Sequence, residues 1–109
     1  MRDDVTAMAH ITGGGITGNL PRVLPEGCRA LVRSGAWAAR RPPVFRTLQE
    51  AGHVDDAEMF RTFNMGIGYV IVVRPTAADS VRTRLTAAGE EVLVLGEIVA
   101  GQRGVELIT

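Results

Sequence analysis

His10-Ile11-Thr12-Gly13-Gly14-Gly15-Ile16-Thr17 is a run in which one kind of secondary structure must give way to another. Ahead of it, Val5 to Ile11 reads as a short buried strand. Behind it, Ile16, Leu20, Val23 and Leu24 recur on one side of a helix that stops at Pro25-Glu26-Gly27. Pro21 suits a helix only in its first turn, which moves the expected start towards Asn19. A strand that passes through three glycines into a helix can present backbone N–H groups to an anion, because a Cβ there would block the approach or forbid the dihedrals. A tight strand-to-helix turn asks for the same residues, so the pattern alone leaves both uses open. It is not a P-loop, since no Gly-Lys-Ser/Thr follows, nor does its spacing match a dinucleotide fingerprint.

Downstream, Cys28 to Val32 reads as a second strand and Ser34 to Pro43 as a loop. Pro43 to Ala51 then forms a short helix that turns Val44, Phe45 and Leu48 inward and stops at Gly52. Asp55-Asp56-Ala57-Glu58 places acids at the start of a helix running to about Thr62, where they complement the helix dipole. Gly68 to Val73 is a β-branched run of the kind covered on both faces, and Arg74-Pro75 ends it. Thr76 to Ala88 is amphipathic, with Ala78, Val81 and Leu85 inward and Gly89 as its stop. Val92 to Val99 and Gly104 to Ile108 complete the strands. Strands and helices in such segregated groups predict an α+β domain, a layered mixed β-sheet covered by helices.

Composition narrows the function classes. Apolar residues make up 46% of the 109 residues and aromatics only 5%, so the core must be built mainly from aliphatic side chains. Basic and acidic residues balance at twelve each, and every basic one is Arg. That balance argues against a nucleic-acid footprint, although arginine pairs with phosphate in a bidentate way lysine cannot match. Cys28 is the only cysteine, which rules out an internal disulfide and fits a reducing cytoplasm. Met1-Arg2-Asp3-Asp4 does not open a signal peptide, and no run approaches a membrane span.

A second signal is Glu58-Met59-Phe60-Arg61-Thr62-Phe63-Asn64-Met65-Gly66-Ile67-Gly68. Phe60, Phe63 and Met65 read as core, Glu58 and Arg61 as an exposed ion pair, Asn64 as a turn residue. Gly66 and Gly68 suggest a close backbone approach or a bulge. His10, at the mouth of the glycine turn, could act as an acid, base or hydrogen-bond donor. His53 reads as solvated, the histidines lack metal-ligand spacing, and Trp37 reads as an anchor for its loop.

Taken together, HITGGGITGNLPRVLP (residues 10–25) and EMFRTFNMGIG (residues 58–68) resemble two signatures of the phosphoribosylformylglycinamidine cyclo-ligase family. Trp37, Pro42 and Phe45 match the pattern between them. Gly89-Glu90 and Leu95-Gly96-Glu97-Ile98 resemble an ending shared more widely with selenophosphate synthetase and thiamine-phosphate kinase. The resemblance implies the C-terminal part of an ATP-dependent ligase of purine biosynthesis. In that reaction ATP phosphorylates the formyl oxygen of formylglycinamidine ribonucleotide, and an amidine nitrogen closes the imidazole ring of aminoimidazole ribonucleotide with loss of phosphate. It implies ATP and Mg2+ in the full-length enzyme, a cytoplasmic location, a homo-oligomer, and no nucleic-acid or membrane partner. Residues 1–109 would be one partial domain, with the N-terminal ATP-binding domain absent. By the same resemblance Gly13, Gly14 and Gly15 cradle the ribotide phosphate, Thr12, Thr17 and Asn19 supply supporting donors, and His10 is a catalytic candidate. Gly18 stands where many relatives carry glutamate, and Ala38-Ala39-Arg40-Arg41 makes a loop slightly longer than usual. The alternative is a non-catalytic module that binds a phosphorylated ligand or assembles with partners.

Either way, the 109-residue chain alone is expected neither to hydrolyse ATP nor to form the imidazole ribotide, because catalysis needs both reactants held together. Purified chain incubated with ATP and substrate should release no phosphate above background, and robust turnover would refute the expectation.

Overall fold

Side chains of Val5–His10 alternate between two faces, with Ala7 and Ala9 turned towards the core and Thr6, Met8 and His10 turned out. This strand, β1, pairs antiparallel with β3 (Tyr69–Val73) in a register that sets His10 opposite Tyr69 and Met8 opposite Ile71. β2 (Cys28–Arg33) runs between β4 (Gly96–Ala100), its antiparallel neighbour, and β5 (Gly104–Ile108), its parallel one. Helices α1 (Gly15–Asn19), α2 (Pro43–Gly52), α3 (Asp56–Thr62) and α4 (Ala78–Ala87) complete the architecture. A computed structural model describes residues 4–108. The leader reading at Met1-Arg2-Asp3 and the side chains of Ala38, Ala39 and Arg40 lie outside the described residues.

The α+β class and the mixed strand directions agree with the sequence reading, but the strands divide into two sheets, β1-β3 and β4-β2-β5. Between them lies an aliphatic core in which Ile11, Ile16, Trp37 and Met59 are the most deeply buried large side chains. Trp37 sits in a 3-10 segment over Ser34–Arg40 and anchors it, its indole N–H donating to the Met65 carbonyl at 3.0 Å. The Phe60 ring meets the indole edge-on at 5.7 Å, and the Arg41 guanidinium lies over both rings at 5.1 and 4.9 Å. Arg41 also donates to the Ser34 carbonyl. Burial holds this guanidinium below its ordinary pKa, and Asp56 works in the opposite direction.

Several expectations change. The helix expected to run from Ile16 to Leu24 stops being α-helical at Asn19 and tightens to 3-10 over Leu20–Val23, because Pro21 has no N–H to continue the ladder. Ile16, Leu20 and Leu24 stay buried regardless. Gly52 belongs to α2 rather than following it, and His53 takes the left-handed position (φ 53°), so that Val54 N–H reaches Gln49 O at 3.0 Å. In α2 only Phe45 turns inward, against Phe63, while Val44 and Leu48 are exposed. In α4, Val81 is buried with Ala77 just ahead of the helix, and Ala78 is exposed. Among the described residues β3 has only β1 beside it, and on the face opposite Val70 the cover is partial: Ile71 and Val73 are half-buried and Tyr69 is exposed. The strand expected from Val92 begins only at Gly96, where a Cβ would lie 1.8 Å from the Leu31 carbonyl.

Replacing Trp37 by Phe removes the donor to Met65 and empties volume beside Phe60. The orphaned carbonyl costs about 1–3 kcal/mol, with a further loss from the vacated space. Urea unfolding followed by far-ultraviolet circular dichroism should show a clearly lower midpoint; an unchanged midpoint would contradict the anchoring role.

Candidate functional site

The ladder between β1 and β3 closes on the bond from Ile11 N–H to Gly68 O at 2.9 Å, and the chain then turns through Thr12, Gly13 and Gly14 into α1. Gly14 and Gly15 have φ of 99° and 63°, which side-chain-bearing residues rarely adopt. Gly15 N–H donates to Thr12 O at 3.0 Å and so closes the turn on itself. A Cβ on Gly15 would lie 1.9 Å from Phe60 O and 2.6 Å from Phe63 O, whereas one on Gly13 would meet nothing within 4 Å. The three glycines therefore divide their work: Gly15 lets α1 touch α3, and Gly13 borders open space.

Asn19 holds the turn from inside. Its buried side-chain amide donates to Thr12 O and Gly13 O at 3.3 Å each and to Gly15 O at 2.8 Å, and its carbonyl oxygen accepts from Thr12 Oγ1 at 3.2 Å. A trans peptide points its N–H opposite to its C=O. With the carbonyls of Thr12 and Gly13 drawn towards Asn19, the N–H groups of Gly13 and Gly14 point outward. Among the described residues none accepts from either. Thr17 Oγ1 donates to Phe60 O at 3.4 Å. Thr12, Thr17 and Asn19, expected as donors to a ligand, thus form the frame that shapes the turn.

His10 is exposed at the end of β1, with its imidazole stacked on the Tyr69 ring at 6.1 Å and 26° between planes. The structure brings His10 and the glycine turn together through the strand that carries both. His53 lies on the surface at the end of α2. Beside Tyr69 opens a cleft of about 380 Å³, lined by Trp37, Gly66–Tyr69, Leu93 and Leu95, with Glu90 and Glu91 also on its wall. The reading of the sequence missed this cleft because its walls lie far apart along the chain. Its one local signal was the pair Gly66 and Gly68. Among the described residues no group of three or more His, Cys, Asp or Glu side chains is placed to hold a metal ion, and no helix is long and apolar enough to cross a membrane.

Comparison with known sequences places this arrangement in a family. The profile described as AIR synthase related protein, C-terminal domain, matches residues 1–108. A phosphoribosylformylglycinamidine cyclo-ligase of Desulfitobacterium hafniense (strain Y51) is 50% identical over 104 residues, covering 95% of this chain and 30% of the relative. The enzyme of the same name from Methylobacillus flagellatus is 52% identical over 100 residues, 92% of the chain and 28% of the relative. That of Citrifermentans bemidjiense is 44% identical over 112 residues, 99% and 32% respectively. The chain thus spans about 30% of the length of the curated relatives it matches.

The division among the glycines is testable by substitution. Gly15→Ala forces a side chain into the α3 carbonyls at an unfavourable φ and should destabilise the chain by about 2–5 kcal/mol, from overpacking and left-handed strain together. Gly13→Ala should stay within about 0.5–1 kcal/mol of the parent. Thermal or urea melts of the two variants check this, and equal effects would refute it.

Proposed function

Because the chain belongs to the AIR synthase related protein family, through that family's C-terminal domain, we propose that it is the C-terminal portion of an ATP-dependent cyclo-ligase converting formylglycinamidine ribonucleotide to aminoimidazole ribonucleotide in purine biosynthesis. The single observation that best supports a ligand at the turn is the outward pair of N–H groups on Gly13 and Gly14, set by the buried Asn19 amide. Two backbone donors and a backbone that a ligand can approach closely suit a phosphate monoester, and the ribotide supplies one. Gly13 and Gly14 are the phosphate contacts in this reading. Gly15, Thr12, Thr17 and Asn19 act behind them by fixing the backbone.

His10 lies beside the turn and offers an imidazole that can donate, accept or transfer a proton near the bound ribotide. ATP, when bound in the complete enzyme, supplies the phosphoryl group that activates the formyl oxygen. Among the described residues no group of three or more His, Cys, Asp or Glu side chains is placed to hold the Mg2+ that accompanies ATP in this reading. The reading further takes the complete enzyme to be cytoplasmic and homo-oligomeric. Exposed Met8, Val44, Leu48, Tyr69 and Val94 are consistent with burial against further protein.

The test is a phosphate titration of isotope-labelled chain followed by amide chemical shifts. The largest changes should fall on Gly13 and Gly14, and Gly13→Val, which obstructs the approach without positive-φ strain, should weaken binding at least about tenfold. In the complete enzyme the same substitution should raise the KM for the ribotide far more than that for ATP. Shifts confined to residues far from Thr12–Thr17 would refute the phosphate site.

A further inference from the structure

β3 is bonded along one side and bare along the other. The bond from Ile11 N–H to Gly68 O and that from Arg74 N–H to Asp4 O at 3.0 Å fix the phase of its ladder with β1. Bonded and non-bonded pairs alternate in an antiparallel ladder, so Gly68, Val70, Val72 and Arg74 turn their main-chain groups towards β1. Tyr69, Ile71 and Val73 turn theirs away. Among the described residues no main-chain hydrogen bond engages the N–H or C=O of any of these three. The run from Glu90 to Leu95, several of whose residues share a cleft with Tyr69, makes no main-chain bond to the strand either.

Exposed strand edges are commonly blunted by a charge, a proline or a bulge. Tyr69–Val73 reads YVIVV, which has no charge, no proline and an unbroken β-branched run after the tyrosine. The edge of β1 differs, because its register slips between Val5 and Ala7 and the bulge spoils that side for regular pairing. The capacity to pair is therefore concentrated on β3. Donors and acceptors that alternate at the repeat of a strand are matched by another extended chain.

The strand is complementary to itself. Set antiparallel about Ile71, Tyr69 of one copy falls opposite Val73 of the other and Ile71 opposite its own counterpart, so every outward group of both strands finds a partner. The same register sets Val70 opposite Val72, and each face of one strand continues the like face of the other. At the ends Arg74 meets Gly68, which has no side chain, and no like charges are opposed. We infer that β3 is a self-association surface, on which two copies of this chain join edge to edge about a twofold axis at Ile71. The product is a four-stranded sheet in the order β1-β3-β3-β1. It is closed, because its outer strands are the two bulged β1 edges. This interface goes beyond the function proposed above and does not rest on it.

So short an interface is a weak one, with a dissociation constant on the order of 100 µM. Sedimentation equilibrium of the 109-residue chain between about 10 µM and about 1 mM should show monomer passing to dimer and no further. At the upper concentration amide hydrogen exchange should slow about fivefold at Tyr69, Ile71 and Val73, and far less at Val70 and Val72, whose N–H groups already face β1. Ile71→Lys and Ile71→Glu each set like charges against one another on the axis and should weaken the dimer about fivefold or more. An equal mixture of the two should restore it, because unlike charges then meet. A chain that stays monomeric at about 1 mM, growth past the dimer, or slowed exchange confined to other exposed surfaces such as Val44 and Leu48 would each overturn the proposal. So would a mixture that associates no better than its folded components. Should circular dichroism show both variants unfolded, the exchange pattern of the parent chain decides alone.

Discussion

Where α1 crosses α3, main chain lies against main chain. The space between Gly15 and the carbonyls of Phe60 and Phe63 is too small for a methyl group, and much of the remaining packing follows from that close approach. It lets Ile16 and Phe60 enter the same core, brings Thr17 within reach of Phe60 O, and sets Phe60 edge-on to Trp37. Trp37 in turn fixes Met65, and Met65 fixes the turn that begins the wall of the cleft. A single contact distance thus links the glycine turn to a cleft whose walls come from three separate regions of the chain.

The Asn19 amide acts at the next level. Backbone carbonyls drawn inward must have a buried partner, and an unpaired one would cost as much as a lost hydrogen bond. The Asn19 amide, its two hydrogens shared among them, lies within hydrogen-bond reach of the carbonyls of Thr12, Gly13 and Gly15. The outward aim of the Gly13 and Gly14 N–H groups is the geometric complement of that satisfaction. The orientation of main-chain donors at the surface is here a by-product of hydrogen bonding in the interior.

Much of this was legible in the sequence where the signal was local. The strand, the glycine break, the acidic start of α3 with Asp55 accepting from Glu58 N–H, and the glycine that ends α4 all declare themselves within a few residues. The Glu58–Arg61 pair and the Asn64 turn also lie as read. What escaped depends on distant partners. Nothing near Gly15 announces that its neighbour is Phe60, so the glycines looked equivalent although Gly15 abuts the Phe60 and Phe63 carbonyls and Gly13 borders open space. The Val92–Leu95 run has strand composition, yet the Cα ladder to β2 starts only at Gly96, with Leu95 O accepting from Arg33 N–H at 2.8 Å at its edge. The amphipathic pattern of α2 predicted burial of Val44 and Leu48, but pattern alone does not supply the surface that would cover them.

The order of the strands along the chain bears on how the protein comes to be made. β2 finds both of its neighbours near the far end: Arg29 pairs with Val99 and Gly104, and the parallel ladder reaches from Arg33 to Ile108. β1 waits almost as long, for β3. On a ribosome, therefore, β2 emerges well ahead of β4 and β5 and stays without either of these sheet partners until both have been synthesised. Such separation makes closure slow and leaves a nascent strand edge open to wrong pairings. Short helices between the strands can form meanwhile, but the three-stranded sheet is a late event, and the newborn chain depends during that interval on whatever shields Cys28–Arg33.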